Sequence, residues 1–136
     1  MRVYLSGRMT GCPDLNRSAF DAAERRLTAQ GHFVINPFRI SEQFGTAEEL
    51  KESFRRYYDV LKVCGEDYFD NGLAAPARVG LDTRVARTVM DTELAAVRSC
   101  DAIYLLRGWE SSRGAKKELA EALAHELQVM QEGGSK

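Results

Sequence analysis

The chain is 136 residues long, 44% hydrophobic and 29% charged, a composition that folds, excludes a disordered tail and fits one domain over 1–136. Its 19 Lys and Arg side chains against 20 Asp and Glu give a net charge of −1, so the basic surface needed by a binder of polymeric nucleic acid is missing, while a local basic pocket for one phosphate is not excluded. No apolar run is long enough for a membrane helix, and three cysteines without a Cys-x-x-Cys pair fit free thiols in a reducing cytoplasm better than a disulfide framework or a metal site.

The first expected element is a buried strand over residues 2–6, so the N-terminus reads as part of the domain and not as a leader. A glycine-containing loop, Gly7 to Gly11, follows. Asn16 is the expected N-cap of a helix to about Gln30 with Phe20, Ala23 and Leu27 on one face, and Gly31 is its left-handed stop. His32–Ile35 is a second strand, closed by Asn36-Pro37. That order predicts a βαβ unit and a parallel sheet.

Thr46-Ala47-Glu48-Glu49 is a capping box that opens a helix to about Cys64. Residues 65–83, with several glycines and Pro76, read as a long loop, and a helix is expected from about Thr83 to Ser99. Asp101–Leu106 is the clearest strand. A tight loop, Arg107–Ser111, leads to Ser112 as N-cap of the last long helix. Leu127–Met130 fits either that helix's final turn or a fourth strand, with the strand favoured, and Gly133–Lys136 is a polar tail.

In an open parallel sheet, ligands bind beyond the carboxyl ends of the strands. Three loops converge there: Ser6–Gly11, Asn36–Phe38 and Arg107–Gly114. The first is neither a P-loop nor a dinucleotide fingerprint, because the required glycine and lysine spacings are absent. In the third, Ser112 would present a helix N-terminus suited to an anion. Gly114, poor in a first turn, would let a ligand approach the backbone. Glu118 falls at the edge of a stripe of Ala115, Leu119, Ala122 and Leu123; Glu93 falls beside Val89, Met90 and Val97. Spacing alone leaves each glutamate either a solvated charge or a pocket carboxylate. It leaves Tyr4 either a packing aromatic or a site hydroxyl. His32 and His125 share no spacing with an acid or cysteine that would mark a triad or a metal site.

Several segments together resemble the nucleoside 2-deoxyribosyltransferase superfamily. They are Val3-Tyr4-Leu5-Ser6-Gly7, Asn36-Pro37, Glu93 eight residues before Asp101, and Gly114-Ala115-Lys116-Lys117-Glu118 with Ala122. Met9-Thr10-Gly11, Asn16, Phe20 and the run Gly108–Glu118 are similar to its short, phage-type branch. The resemblance covers nearly all the chain outside about 65–88. It implies a flavodoxin/Rossmann-like three-layer α/β sandwich with a parallel sheet of four to five strands, and cleavage of a base–sugar bond without metal or organic cofactor. It implies Glu118 as nucleophile, Tyr4 as its orienting hydroxyl and Glu93 as acid or sugar contact. Substrate contacts would come from Ser6, Gly7, Arg8, Asn36, Trp109, Ser112 and Gly114.

Arg8 stands where the family has proline, and Glu93 where it has aspartate. Ser112, two residues before Gly114, is similar to the branch that hydrolyses deoxynucleoside 5′-monophosphates and holds the phosphate with that serine. The expectation is therefore an N-glycosidase acting on a small nucleotide, working as a cytoplasmic homodimer. A transferase on free nucleosides and a non-catalytic nucleotide-binding module are the alternatives.

Overall fold

The computed structural model describes residues 1–9, 12–64 and 77–133. Thr10 and Gly11, the 65–76 part of the expected loop, and the end of the polar tail lie outside the described residues. The strands and α-helices described are, in chain order, β1 Arg2–Ser6, α1 Arg17–Ala29, β2 Phe33–Ile35, α2 Pro37–Ser41, α3 Ala47–Cys64, α4 Ala77–Arg98, β3 Ala102–Leu105, α5 Arg113–Ala124 and β4 Gln128–Gln131. The four strands form one all-parallel sheet in the order β2-β1-β3-β4. That is the doubly wound, flavodoxin-like order, with its switch point between β1 and β3.

The chain divides into two compact units, Met1–Arg39 with Glu93–Lys136, and Ile40–Thr92. The first holds the sheet. From the switch point the chain winds outward in opposite directions, and right-handed crossovers then put α1 on one face of the sheet and α5 on the other. On the α1 face, Val3, Leu5, Phe20, Ala23, Leu27 and Ala102 form a closed core. On the α5 face, Ile103, Leu105, Ala115 and Ala122 are buried. In the second unit, Tyr57 and Ala86 are buried with Phe54, Tyr58 and Met90 against them, and the Ser53 hydroxyl accepts from Ala86 N at 3.0 Å.

Local chemistry explains most boundaries. Gly31 is left-handed at φ +97°. It lets His32 N reach the Leu27 carbonyl at 3.1 Å, and so satisfies the end of α1. The capping box forms as expected, with Thr46 N donating to Glu49 Oε1 at 2.8 Å and Glu49 N donating to Thr46 Oγ1 at 3.2 Å.

Three expectations change. Asn16 does not cap α1 through its side chain; it sits in a left-handed run with Asp14 and Leu15, and its Nδ2 donates to the Arg8 carbonyl at 3.0 Å. Pro37 does not simply end β2: its fixed φ opens the short helix α2. The helix expected from Thr83 begins at Ala77, directly after Pro76 in sequence; Gly80 inside its first turns hid that start. Leu127–Met130 resolves as a strand, β4. Among the described residues no helix is long and apolar enough to cross a membrane.

Candidate active site: a carboxylate pair on the sheet

Successive residues of a strand point to opposite faces. β1 therefore sends Val3 and Leu5 to the α1 core and Tyr4 and Ser6 to the α5 side. There both meet one carboxylate, 112 to 114 residues away in sequence. The Tyr4 hydroxyl donates to Glu118 Oε2 at 2.7 Å. The Ser6 hydroxyl donates to Glu118 Oε1 at 2.6 Å. Both donors are sealed from solvent at 0% exposure, whereas Glu118 itself keeps partial contact with solvent. The arrangement is a floor of buried hydroxyls under a partly exposed carboxylate.

Glu118 is more central than its spacing implies. Leu123, expected in the apolar stripe of α5, is 59% exposed. The buried face instead runs Ala115–Glu118–Ala122, with the alanines 1% and 0% exposed. Two small side chains at i−3 and i+4 let this face lie close to the strands, so the longer glutamate reaches the sheet between them.

Glu93 also lies in the sheet-bearing unit, on the last turns of α4 between Val89 and Val97, both 0% exposed. The two carboxyls are differently supported. Burial pushes Glu118 up to about 7, while the Ser6 and Tyr4 hydrogen bonds pull it back. Burial, and then the charge of Glu118, push Glu93 well above the usual carboxylate range. The two hydroxyls thus favour the charged form of Glu118, and burial favours the protonated form of Glu93. Burial, then the charges of Glu118 and Glu93, hold the Tyr4 phenol well above its ordinary value, so it remains a donor.

The other expected site residues divide into two groups. Ser112 is the N-cap of α5, its hydroxyl accepting from Ala115 N at 3.1 Å, and Gly114 lies in the first turn. Trp109 is partly buried in the single 3₁₀ turn before it. That turn is entered through Gly108 at φ +91°. Arg8 is exposed just past β1. Arg8 and the Trp109–Gly114 segment thus follow β1 and β3, adjacent strands at the switch point.

Ser6, Gly7 and Asn36, expected from the sequence to contact substrate, each also have a framework role in the structure. The Ser6 hydroxyl is committed to Glu118. A Cβ on Gly7 would sit 2.8 Å from Leu106 Cβ, so the glycine is needed for close strand packing. Asn36 is 1% exposed, and its Nδ2 donates to Asp21 Oδ1 at 3.0 Å and to Glu24 Oε1 at 3.1 Å. Its Oδ1 accepts from Phe38 N at 3.0 Å, which ties α1 to the start of α2. The sequence holds a signal for Ser6: it is two residues from Tyr4, so whatever Tyr4 reaches on that face Ser6 also approaches. Among the described residues no group of three or more His, Cys, Asp or Glu side chains could hold a metal ion.

One family model, described as a domain of unknown function (DUF4406), matches residues 1–64 and 43–131. The chain belongs to that family. No curated protein and no solved structure matches it. The matched stretches of this DUF4406 chain include Tyr4 and Ser6 in the first and Glu93, Ser112 and Glu118 in the second.

Proposed function

We propose that the protein is an N-glycosidase that hydrolyses the base–sugar bond of a nucleoside or deoxynucleoside 5′-monophosphate. One observation carries this reading. A partly exposed glutamate, held by two buried hydroxyls, lies within electrostatic reach of a second glutamate whose burial favours the protonated form. Glycoside cleavage asks for such a division of labour, one carboxylate ionised and one protonated. The likeness of Gly108–Glu118 to the phage-type branch of the nucleoside 2-deoxyribosyltransferase superfamily supports the same reading.

In this mechanism a Glu118 oxygen attacks C1′ while the C1′–N bond breaks. The bonding pair leaves with the base nitrogen, which takes the proton of Glu93. Glu118 is then esterified to the sugar, and Glu93 is ionised. Water attacks C1′, gives a proton to Glu93 and releases Glu118 as carboxylate. The products are the free base and the sugar 5-phosphate, and both glutamates return to their starting states.

The phosphate would sit at the N-terminus of α5, where Ser112 and the first-turn N–H groups favour an anion, with Arg8 supplying a charge from the loop after β1. The decisive experiment is a panel of nucleosides and their 5′-monophosphates assayed for free base, with and without a second base. Base release that favours monophosphates supports the hydrolase. Equal use of both substrate types with sugar passing to the added base would make it a transferase. Binding without release would make it a nucleotide-binding module.

A further inference from the structure

We propose that Ser6 is a positioning residue for Glu118: with Tyr4 it forms a pair of buried hydroxyls, two residues apart on β1, that hold one carboxylate oxygen each and fix the direction in which the carboxylate faces. The inference deepens the reading of Glu118 as the reacting carboxylate and rests on it.

The terminal torsion of a glutamate is broad and nearly two-fold, so one donor leaves the carboxylate plane free to turn about the held oxygen. Two donors at fixed separation remove that freedom. Tyr4 holds Oε2 at 2.7 Å and Ser6 holds Oε1 at 2.6 Å. Both rise from one strand whose backbone is itself locked: Tyr4 pairs with Ile35 and with Ile103, and the Ser6 carbonyl accepts from Leu106 N at 2.8 Å. Ser6 is 0% exposed, so its hydroxyl has no route to a ligand without leaving Glu118.

Burial also gives the serine a task that Tyr4 alone does not complete. A carboxylate placed among protein atoms favours its neutral form, and each hydrogen bond to the charged form opposes that. Of the two, the Ser6 bond opposes burial more strongly than the Tyr4 bond. The titratable groups that act on this network are Tyr4 from β1 and Glu93 from α4, with Cys100, just before β3, felt through Tyr4.

The test is a carbon-13 carboxyl NMR titration of the full chain, with the Glu118 resonance assigned by its loss in Glu118→Gln. Ser6→Ala should raise the Glu118 midpoint by about one pH unit, a roughly tenfold weaker acid, as expected for one charge-assisted hydrogen bond. Tyr4→Phe should move it in the same direction. A rise of half a unit or more in Ser6→Ala supports the proposal. A smaller change or a fall, whatever happens to the melting temperature, overturns it, as does a response confined to Tyr4→Phe. The titration needs no substrate. A failure of every nucleotide to release base would therefore defeat the hydrolase reading while leaving the Ser6 result legible.

Discussion

The two faces of β1 are equally closed to solvent and opposite in chemistry. Val3 and Leu5 on one side, and Tyr4 and Ser6 on the other, are all 0% exposed. The first pair enters a core of aliphatic and aromatic groups against α1, where every buried atom contributes to stability. The second pair holds a glutamate that burial has made a weaker acid, an arrangement that costs stability whenever the glutamate is charged. A single strand thus packs the core on one side and, on the proposed reading, holds the reacting carboxylate on the other.

That contrast predicts separable consequences. The largest is on the polar face. Glu118→Gln keeps the shape and removes the charge, so base release should fall at least about a thousandfold, about 4 kcal/mol of barrier. Retention of a tenth of wild-type kcat/KM would remove Glu118 from the reaction. The same variant has the opposite effect on folding. A carboxyl raised from 4.5 to about 7 binds a proton in the folded state that the unfolded state has released. Its stability contribution is therefore complete below about pH 4.5 and lost as pH rises through about 7, a difference of about 3 kcal/mol. Denaturant unfolding at pH 5 and pH 8 should show wild type weakening toward pH 8. Glu118→Gln should be the more stable of the two at pH 8.

The apolar face answers in reverse. Leu5→Ala should cost about 2–5 kcal/mol of folding stability by emptying part of the α1 core. It should leave the Glu118 titration midpoint in place, because its side chain points away from the site. A shift of that midpoint would show that the two faces are not independent.

The smallest effect sharpens the substrate side of the account. Ser112→Ala removes the N-cap of α5 at a cost of about 1 kcal/mol of stability. On the phosphate reading it should also raise KM for nucleoside monophosphates well above any change for the unphosphorylated nucleosides. Equal changes for both would reduce Ser112 to a cap.

What the sequence discloses follows from what is local. Gly31, the Thr46–Glu49 box and the Ser112 cap are set by residues three or four apart, and all three form as their spacing predicts. Strand alternation places Tyr4, and the run of elements predicts the parallel sheet. The remainder depends on tertiary approach. Whether Glu118 lies at the edge or the middle of the buried face depends on how α5 rolls on the sheet. Ala115 and Ala122 permit that rotation without announcing it. Asn36 looks like a loop residue at a strand's carboxyl end, and only the arrival of Asp21 and Glu24 from α1 shows that its amide is occupied. The coupling of Glu93 to Glu118 joins two helices separated by β3, and no periodicity within either helix contains it.

The pH dependence of kcat/KM for base release tests the paired carboxylates most directly, since it reports the ionisations of the free enzyme. The account predicts a bell. Its rising limb lies near pH 7, as Glu118 ionises, and its falling limb lies above that, as Glu93 loses its proton. In Glu93→Gln the falling limb should disappear along with most of the rate. A wild-type profile that is flat from pH 5 to pH 9, or one that falls through pH 7, would contradict an ionised Glu118 working beside a protonated Glu93.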